Sequence, residues 1–581
     1  MGFCYAIADK PLPQPIESMS QSQKLSRHYL ALVGIVALGT VLRFWHLDLK
    51  PLWLDEVLTA FFILGRHYND LPLDIVFSPS TLEQILTLQP EASCGEIART
   101  LAAQSTHPPL FFCLMHSWLR FMGTDSLVWA LRSLPAGFGV AGIVAVYCLN
   151  RLVFYPTAGL IAAALMAVSP FAVYLSQEAR HYTLPMLLIT LALLGLIEIQ
   201  HRLYSQQQPH PTLWLFWVAV NSIGCYVHYF FILAVVAQVL TLVGLMLWHR
   251  QQLSRGSWID VLLAIAAIAV SYLPQLSVLL GDFGRPETEW LPTPDSFEPL
   301  FQLLIGWLLM VIALPVENQP LWVAVPMGVL TIGFGGWVVW QGFRGIQQLW
   351  RKPSTQLATL TLSGFIVCVL LQFLAIIYLL DKDISVVPRY HFVYYPAICA
   401  LLGASFALEK GKNWRTGEQR RWDVIVLLGA SLLSTVFVVS NLVFIKPFHP
   451  QQVAQNMNLE PTAPLMIVVG YSDIQDVALG LSFALALDQG HGDSRLKNAD
   501  TFFAFLNREQ GYQPLWQKLS ELQIAPVPRL NLWVVAPGLK RRDYPQQLAI
   551  ASQQTCTLDP TQHYRIGIPY QLYRCYFRGA G

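Results

Sequence analysis

The chain has 581 residues, of which 54% are apolar and only 12% charged, and its formal net charge is +2. A soluble protein keeps about a quarter of its residues charged, so a surface that faces water on all sides is excluded. The near-neutral balance without a basic stripe also argues against nucleic acid as a partner.

In chain order, residues 1–27 are polar and proline-containing. They read as a cytoplasmic tail leading into an uncleaved signal anchor, and Ala6 stands where a myristoylation signal needs Ser or Thr. From Ala31 to Phe444 apolar runs recur, each of about 18 residues or more, enough to cross a hydrocarbon core. Lys and Arg mark the intervening loops: Lys24 and Arg27; Arg151; Arg202 beside His201; Arg250 and Arg255; Arg344, Arg351 and Lys352; then Lys410, Lys412, Arg415, Arg420 and Arg421. Placing these inside predicts about eleven transmembrane helices within residues 28–445. The same topology lays the short apolar segments 107–123 and 300–316 along the membrane surface, as interfacial or re-entrant helices.

The outer face then collects a large first loop (47–127), the turns SQEARHY (176–182) and HYF (228–230), the loop 281–297, and DKDISVVPRYHF (381–392). Residues 446–581 lose the long apolar runs. There LMIVVG (465–470) and LNLWVV (530–535) predict strands, and DIQDVALGLSFALAL (473–487) predicts a helix. The expected fold class is therefore an all-α polytopic membrane protein with a small C-terminal α/β extracytoplasmic domain. Cys225 and Cys399 lie in apolar runs and read as small hydrophobes. Cys556 and Cys575 lie in the polar C-terminal region, where a disulfide between them is expected if that region is outside the cytoplasm.

Ionisable residues at the membrane boundary are the candidates for chemistry, because an unpaired one there is costly. Asp55 and Glu56 open a helix after Pro51, among Trp53, Leu54 and Phe61. One acid in a first turn is explained by the helix dipole, whereas two among aromatics exceed what a cap needs. Gln177, Glu178, Arg180, His181 and Tyr182 crowd one turn between two spans; the alternative is a solvated loop with a weak ion pair. His107 precedes Pro108 and Pro109. His228 and Tyr229 read equally well as an interfacial aromatic belt, and Arg389 beside Tyr390 as an arginine snorkelling to head groups. Together they suit a substrate with an anionic head and a lipid tail. No phosphate-cradling glycine loop, cysteine metal spacing or serine nucleophile elbow occurs. A transporter or lipid flippase using the same polar residues as a relay stays open, although relay acids belong at mid-membrane depth; a catalytically inert scaffold is a third reading.

The stretches LRFWHLDLKPLWLDEVLTAFF, HPPLFFCLMHSWLRFMG, ALRSLPAGFGV, SPFAVYLSQEARHYTL and PRYHFVYYP, in that order, resemble bacterial membrane glycosyltransferases of the dolichyl-phosphate-mannose protein mannosyltransferase-like group (family 39). That group has the GT-C fold and is similar to the lipid A aminoarabinose transferases; the resemblance spans about residues 28–410. It implies a polyprenyl-phosphate-linked sugar as donor, a lipid, glycan or protein acceptor, and inverting transfer on the extracytoplasmic face of a bacterial inner membrane. It places the catalytic acid at Asp55 with Glu56 beside it. Arg180, Arg389, His107 and Tyr390 would then bind the donor phosphate, with Gln177, Glu178, His181, Tyr182, His228 and Tyr229 lining the site. A divalent metal ion, held by Asp55 and Glu178, is the one cofactor the resemblance implies.

Overall fold

The computed structural model describes residues 18–282, 291–407, 414–489, 501–524, 527–550 and 554–577. Most of the N-terminal tail, and the basic residues Lys410 and Lys412, lie outside them. The described chain divides into two compact units. One comprises residues 1–47, 105–111 and 132–444; the other gathers 48–104, 112–131 and 445–581.

The first unit is a helical bundle. Among the described residues eight helices are long and apolar enough to cross a membrane: Leu25–Phe44, Leu127–Val153, Thr183–Tyr204, Phe231–Trp248, Arg255–Gly281, Leu321–Trp350, Pro353–Leu379 and Arg421–Val439. The pair Pro156–Val168 and Pro170–Ser176, bent by 57°, makes a ninth if the two helices form one span. Pro170 lacks the amide that would continue the helix, and Ser169 is extended. The Ser169 hydroxyl accepts from the Ala172 amide and donates to the Met310 carbonyl, so the break is fully hydrogen-bonded. The expected eleven is reached if the shorter apolar helices Pro211–Cys225 and Tyr395–Phe406 also cross. Hydropathy counts apolar residues across a break, whereas helix length stops at it. The segments expected at the surface form the short helices Leu110–Met122 and Glu298–Leu309.

Oil offers no hydrophobic drive between helices, so small residues and polar bonds hold the bundle. A Cβ on Gly403 would lie 2.6 Å from Ala162 Cα, and one on Gly345 would lie 2.7 Å from Ser405 Cα, so these backbones touch where a larger residue would separate them. Asn150 donates to the Ala400 carbonyl, and Thr361 to Gln200.

The second unit is built on a seven-stranded sheet in the order β1-β3-β2-β4-β7-β6-β5. The strands are β1 Val76–Phe77, β2 Leu465–Tyr471, β3 Thr501–Asn507, β4 Arg529–Val535, β5 Gln547–Ile550, β6 Gln554–Ile566 and β7 Ile568–Phe577. β2, β3 and β4 are parallel and buried along nearly their whole length, which is why they read as continuous apolar runs. The two strands and the helix expected from sequence are β2, β4 and Ile474–Gln489. β1 comes from the first loop and pairs antiparallel with β3, so the loop and the C-terminal region fold as one body. That partnership carries no local sequence signal, because a two-residue strand is defined only by its distant partner.

Two disulfides lie in this unit, Cys556–Cys575 between paired residues of β6 and β7, and Cys94–Cys113 within the first loop. Each closes 19 residues of sequence separation. Loop closure of this size is worth about 3 kcal/mol, so the Cys94→Ser/Cys113→Ser variant is expected to melt several degrees lower in detergent. Thermal melts with and without reductant measure this, and reductant should lower the melting temperature of the wild type by more than that of the variant, which of these two keeps only Cys556–Cys575.

Candidate active site

The Asp55 helix, Leu54–Ile63, belongs to the second unit. The structure separates its two acids. Glu56 is fully buried, and its carboxylate turns back to accept from the Trp53 backbone amide at 3.4 Å. This is the half of a capping box that satisfies an orphan amide at a helix start. Asp55 keeps part of its surface, and its own carbonyl accepts from the Thr59 hydroxyl. Glu56, expected as a catalytic partner, is engaged in the turn it stands on.

In the first unit three histidines come together. His181 lies with ring centroids 4.5 Å from His228 and 5.2 Å from His107. The bent helix pair delivers the turn carrying Gln177–Tyr182, the turn after Pro211–Cys225 delivers His228, and Leu110 ties back to the Tyr226 carbonyl beside it. Arg180 donates to His107 Nε2 at 3.3 Å, which leaves the ring proton on Nδ1, 3.0 Å from the Ser105 hydroxyl. The Phe230 amide donates to His228 Nδ1, so His228 carries its proton on Nε2. His181 is fully buried, and among the described residues neither of its ring nitrogens has a hydrogen-bond partner. An orphaned buried group costs roughly 1–3 kcal/mol, and such sites call for a functional explanation.

The remaining residues pack around this cluster. Tyr182 packs at a tilt against His181 (4.7 Å) and Phe392 (5.7 Å), with the Arg180 guanidinium 5.8 Å from its ring centre. Glu178 is buried without exposed surface. Arg389 and Tyr390 lie in the short helix Pro388–Val393, which is anchored on both sides. Tyr390 packs 4.5 Å from Phe230, Phe392 lies 4.9 Å from His228, and His391 rests so close to Gly306 that a Cβ there would meet its ring at 2.2 Å. The helix Glu298–Leu309 thus supports the segment carrying Arg389. Two expected lining residues also meet groups outside the cluster. Gln177 donates to the carbonyls of Leu42, Arg43 and Trp45 at the end of the first span, and the Tyr229 hydroxyl lies 3.5 Å from the Gln275 amide.

Burial first, and charge second, set the protonation of the cluster. Burial, then the positive charges of Arg180 and Arg389, push His107 down to about 3. Burial lowers His181 and His228 well below the usual histidine value, with the neighbouring ring and both arginines adding to it. The three rings are therefore neutral at physiological pH. The unfolded chain would protonate His107 near 6.5, so below that pH the unfolded state binds more protons. Its contribution to stability is complete above 6.5, falls with pH, and levels off near 3.

Among the described residues no three His, Cys, Asp or Glu side chains group to hold a metal. The histidine cluster feels two guanidinium charges, which disfavours a cation there. Asp55 and Glu178, the pair expected to hold a metal, belong to no such group among the described residues. Two buried arginines were missed in the sequence reading. Arg43 donates to the carbonyls of Gly39, Met166 and Ala167, and Arg132 to that of Leu47. The signal was available, since an arginine at an apolar run's end is costly unless bonded.

The family model described as dolichyl-phosphate-mannose-protein mannosyltransferase matches residues 106–274. No curated protein matches the sequence. Two solved structures of ArnT from Cupriavidus metallidurans are similar over 93% of this chain and 97% of theirs, each at 12% identity. They are the form bound to undecaprenyl phosphate, with a TM-score of 0.52, and the apo form, at 0.51. With its apolar spans and C-terminal sheet domain, the chain is a multi-pass membrane protein of the GT-C fold, the fold that ArnT also has.

Proposed function

We propose that the protein is a glycosyltransferase that moves a sugar from a polyprenyl phosphate to an acceptor, on the extracytoplasmic face of a bacterial inner membrane. One observation carries this reading: His107, His181 and His228 pack together at one end of the spans, Arg180 donates to His107 there, and Arg389 adds its charge to the same cluster. Two guanidinium charges at the membrane boundary suit a phosphate on a lipid tail, and guanidinium forks suit phosphate oxygens. The bound undecaprenyl phosphate of ArnT and the matched segment 106–274, which contains Arg180 and the three histidines, support the same reading.

The orientation rests on two features. The helices Thr183–Tyr204 and Phe231–Trp248 begin beside His181 and His228 and end near Arg202 and Arg250, so the basic loops mark the opposite end. The second unit holds two disulfides, which persist outside the reducing cytosol.

In the reaction the acceptor hydroxyl oxygen attacks the anomeric carbon as the bond from that carbon to the phosphate oxygen breaks. The hydroxyl proton passes to the Asp55 carboxylate, and polyprenyl phosphate leaves with the bonding electron pair. Arg180 and Arg389 stabilise its charge, with His107 and Tyr390 beside them. A phosphate is a good leaving group without protonation, so one base suffices where a glycosidase needs an acid and a base. A single displacement inverts the anomeric centre. Reconstitution with radiolabelled polyprenyl-phosphate sugars tests this: labelled product with release of polyprenyl phosphate is expected. Label crossing the bilayer with no product would favour a flippase.

A further inference from the structure

Within the second unit, the helix that carries Asp55 is clamped by the rest of that unit. Ile474–Gln489 is apolar nearly all round, with one face against β2 and β3, where Gly480 meets Val469 and Phe505. An all-apolar helix outside the membrane needs a cover on its other face, and the Asp55 helix packs there, burying Val57, Ala60, Phe61, Phe62 and Ile63. Both ends of the Asp55 helix are also held. At its start the ammonium of Lys446, which is 6% exposed, lies 5.3 Å from the Trp53 ring centre. At its end buried His116 donates from Nδ1 to the Ile63 carbonyl at 2.7 Å. The chain beyond is fixed to the sheet by Asp74. Its backbone amide donates to Phe505, and its carboxylate accepts from the Asn507 amide and Lys518.

We infer that the C-terminal α/β domain is the mount of the catalytic acid. It fixes the Asp55 helix against Ile474–Gln489, and Lys446 is a positioning residue that acts on Asp55 through Trp53. The inference rests on the reading of Asp55 as the base. A base displaced by an ångström loses rate while the donor binds as before, and a cation over indole is a contact that Arg reproduces and Ala does not.

The test uses the full-length protein in detergent, with the polyprenyl-phosphate sugar that the wild type turns over. Lys446→Ala is expected to lower kcat about ten-fold with the donor KM within about two-fold, and Lys446→Arg to restore most of it. Hydrogen exchange of amides 53–57 should quicken in Lys446→Ala and in His116→Ala, which releases the opposite end without touching the Lys446–Trp53 contact. A raised donor KM at constant kcat would make Lys446 a phosphate ligand and overturn the inference. Unchanged kcat and unchanged exchange in both variants would overturn it too. If Lys446→Ala fails to accumulate, the His116→Ala exchange and kcat decide alone. The underlying reading is judged separately: an active Asp55→Asn sinks the base, whereas an inactive Asp55→Asn beside a fully active Lys446→Ala sinks only the mount.

Discussion

Asp55→Asn is expected to lower turnover by about 10²–10⁴-fold, the usual worth of a positioned general base, while undecaprenyl phosphate binds with unchanged affinity. The change removes a proton acceptor without changing shape, so the helix and its packing should persist. Turnover of a labelled donor and equilibrium binding of undecaprenyl phosphate, measured on the same preparation, separate the two effects. Glu56→Gln is the matched control. Glu56 turns inward on the Trp53 amide, and a Gln oxygen can accept the same bond, so this variant should keep most of the turnover. The contrast is what makes the pair informative: two neighbouring acids, one in the cap and one proposed to do chemistry.

Arg389→Ala should act on the other quantity. Loss of a charge-assisted hydrogen bond costs about 1.5–3 kcal/mol, so affinity for undecaprenyl phosphate is expected to fall about 10- to 100-fold, as is that of Arg180→Ala. Lys at either position should recover only part, because a compact ammonium cannot make a bidentate contact with phosphate. An Arg389→Ala protein with wild-type affinity in a titration would return that side chain to the role of snorkelling to head groups. The anchoring of its segment favours the first outcome. Tyr390 and Phe392 are packed against Phe230 and His228, so the arginine stems from a fixed backbone.

The membrane character and the C-terminal strands were legible because each is written in a local period. β2 and β4 are continuous apolar runs, and the spans are long ones. The histidine cluster was legible only as separate residues. His107, His181 and His228 are far apart in sequence, and what gathers them is a Pro170 break and two interhelical turns. Glu56 and Gln177 show the limit of residue type as a guide. Both looked available for a ligand, and both turn to backbone groups at helix ends, a choice set by local geometry. The pairing of β1 with β3 and the Cys94–Cys113 bridge were illegible because each joins residues by tertiary placement alone.

The most direct test is transfer of radiolabel from a polyprenyl-phosphate-linked sugar by the purified protein, with Asp55→Asn run beside the wild type. The account predicts labelled acceptor and free polyprenyl phosphate from the wild type and neither from the variant, with equal binding of undecaprenyl phosphate by both. Transfer by Asp55→Asn at the wild-type rate would contradict it.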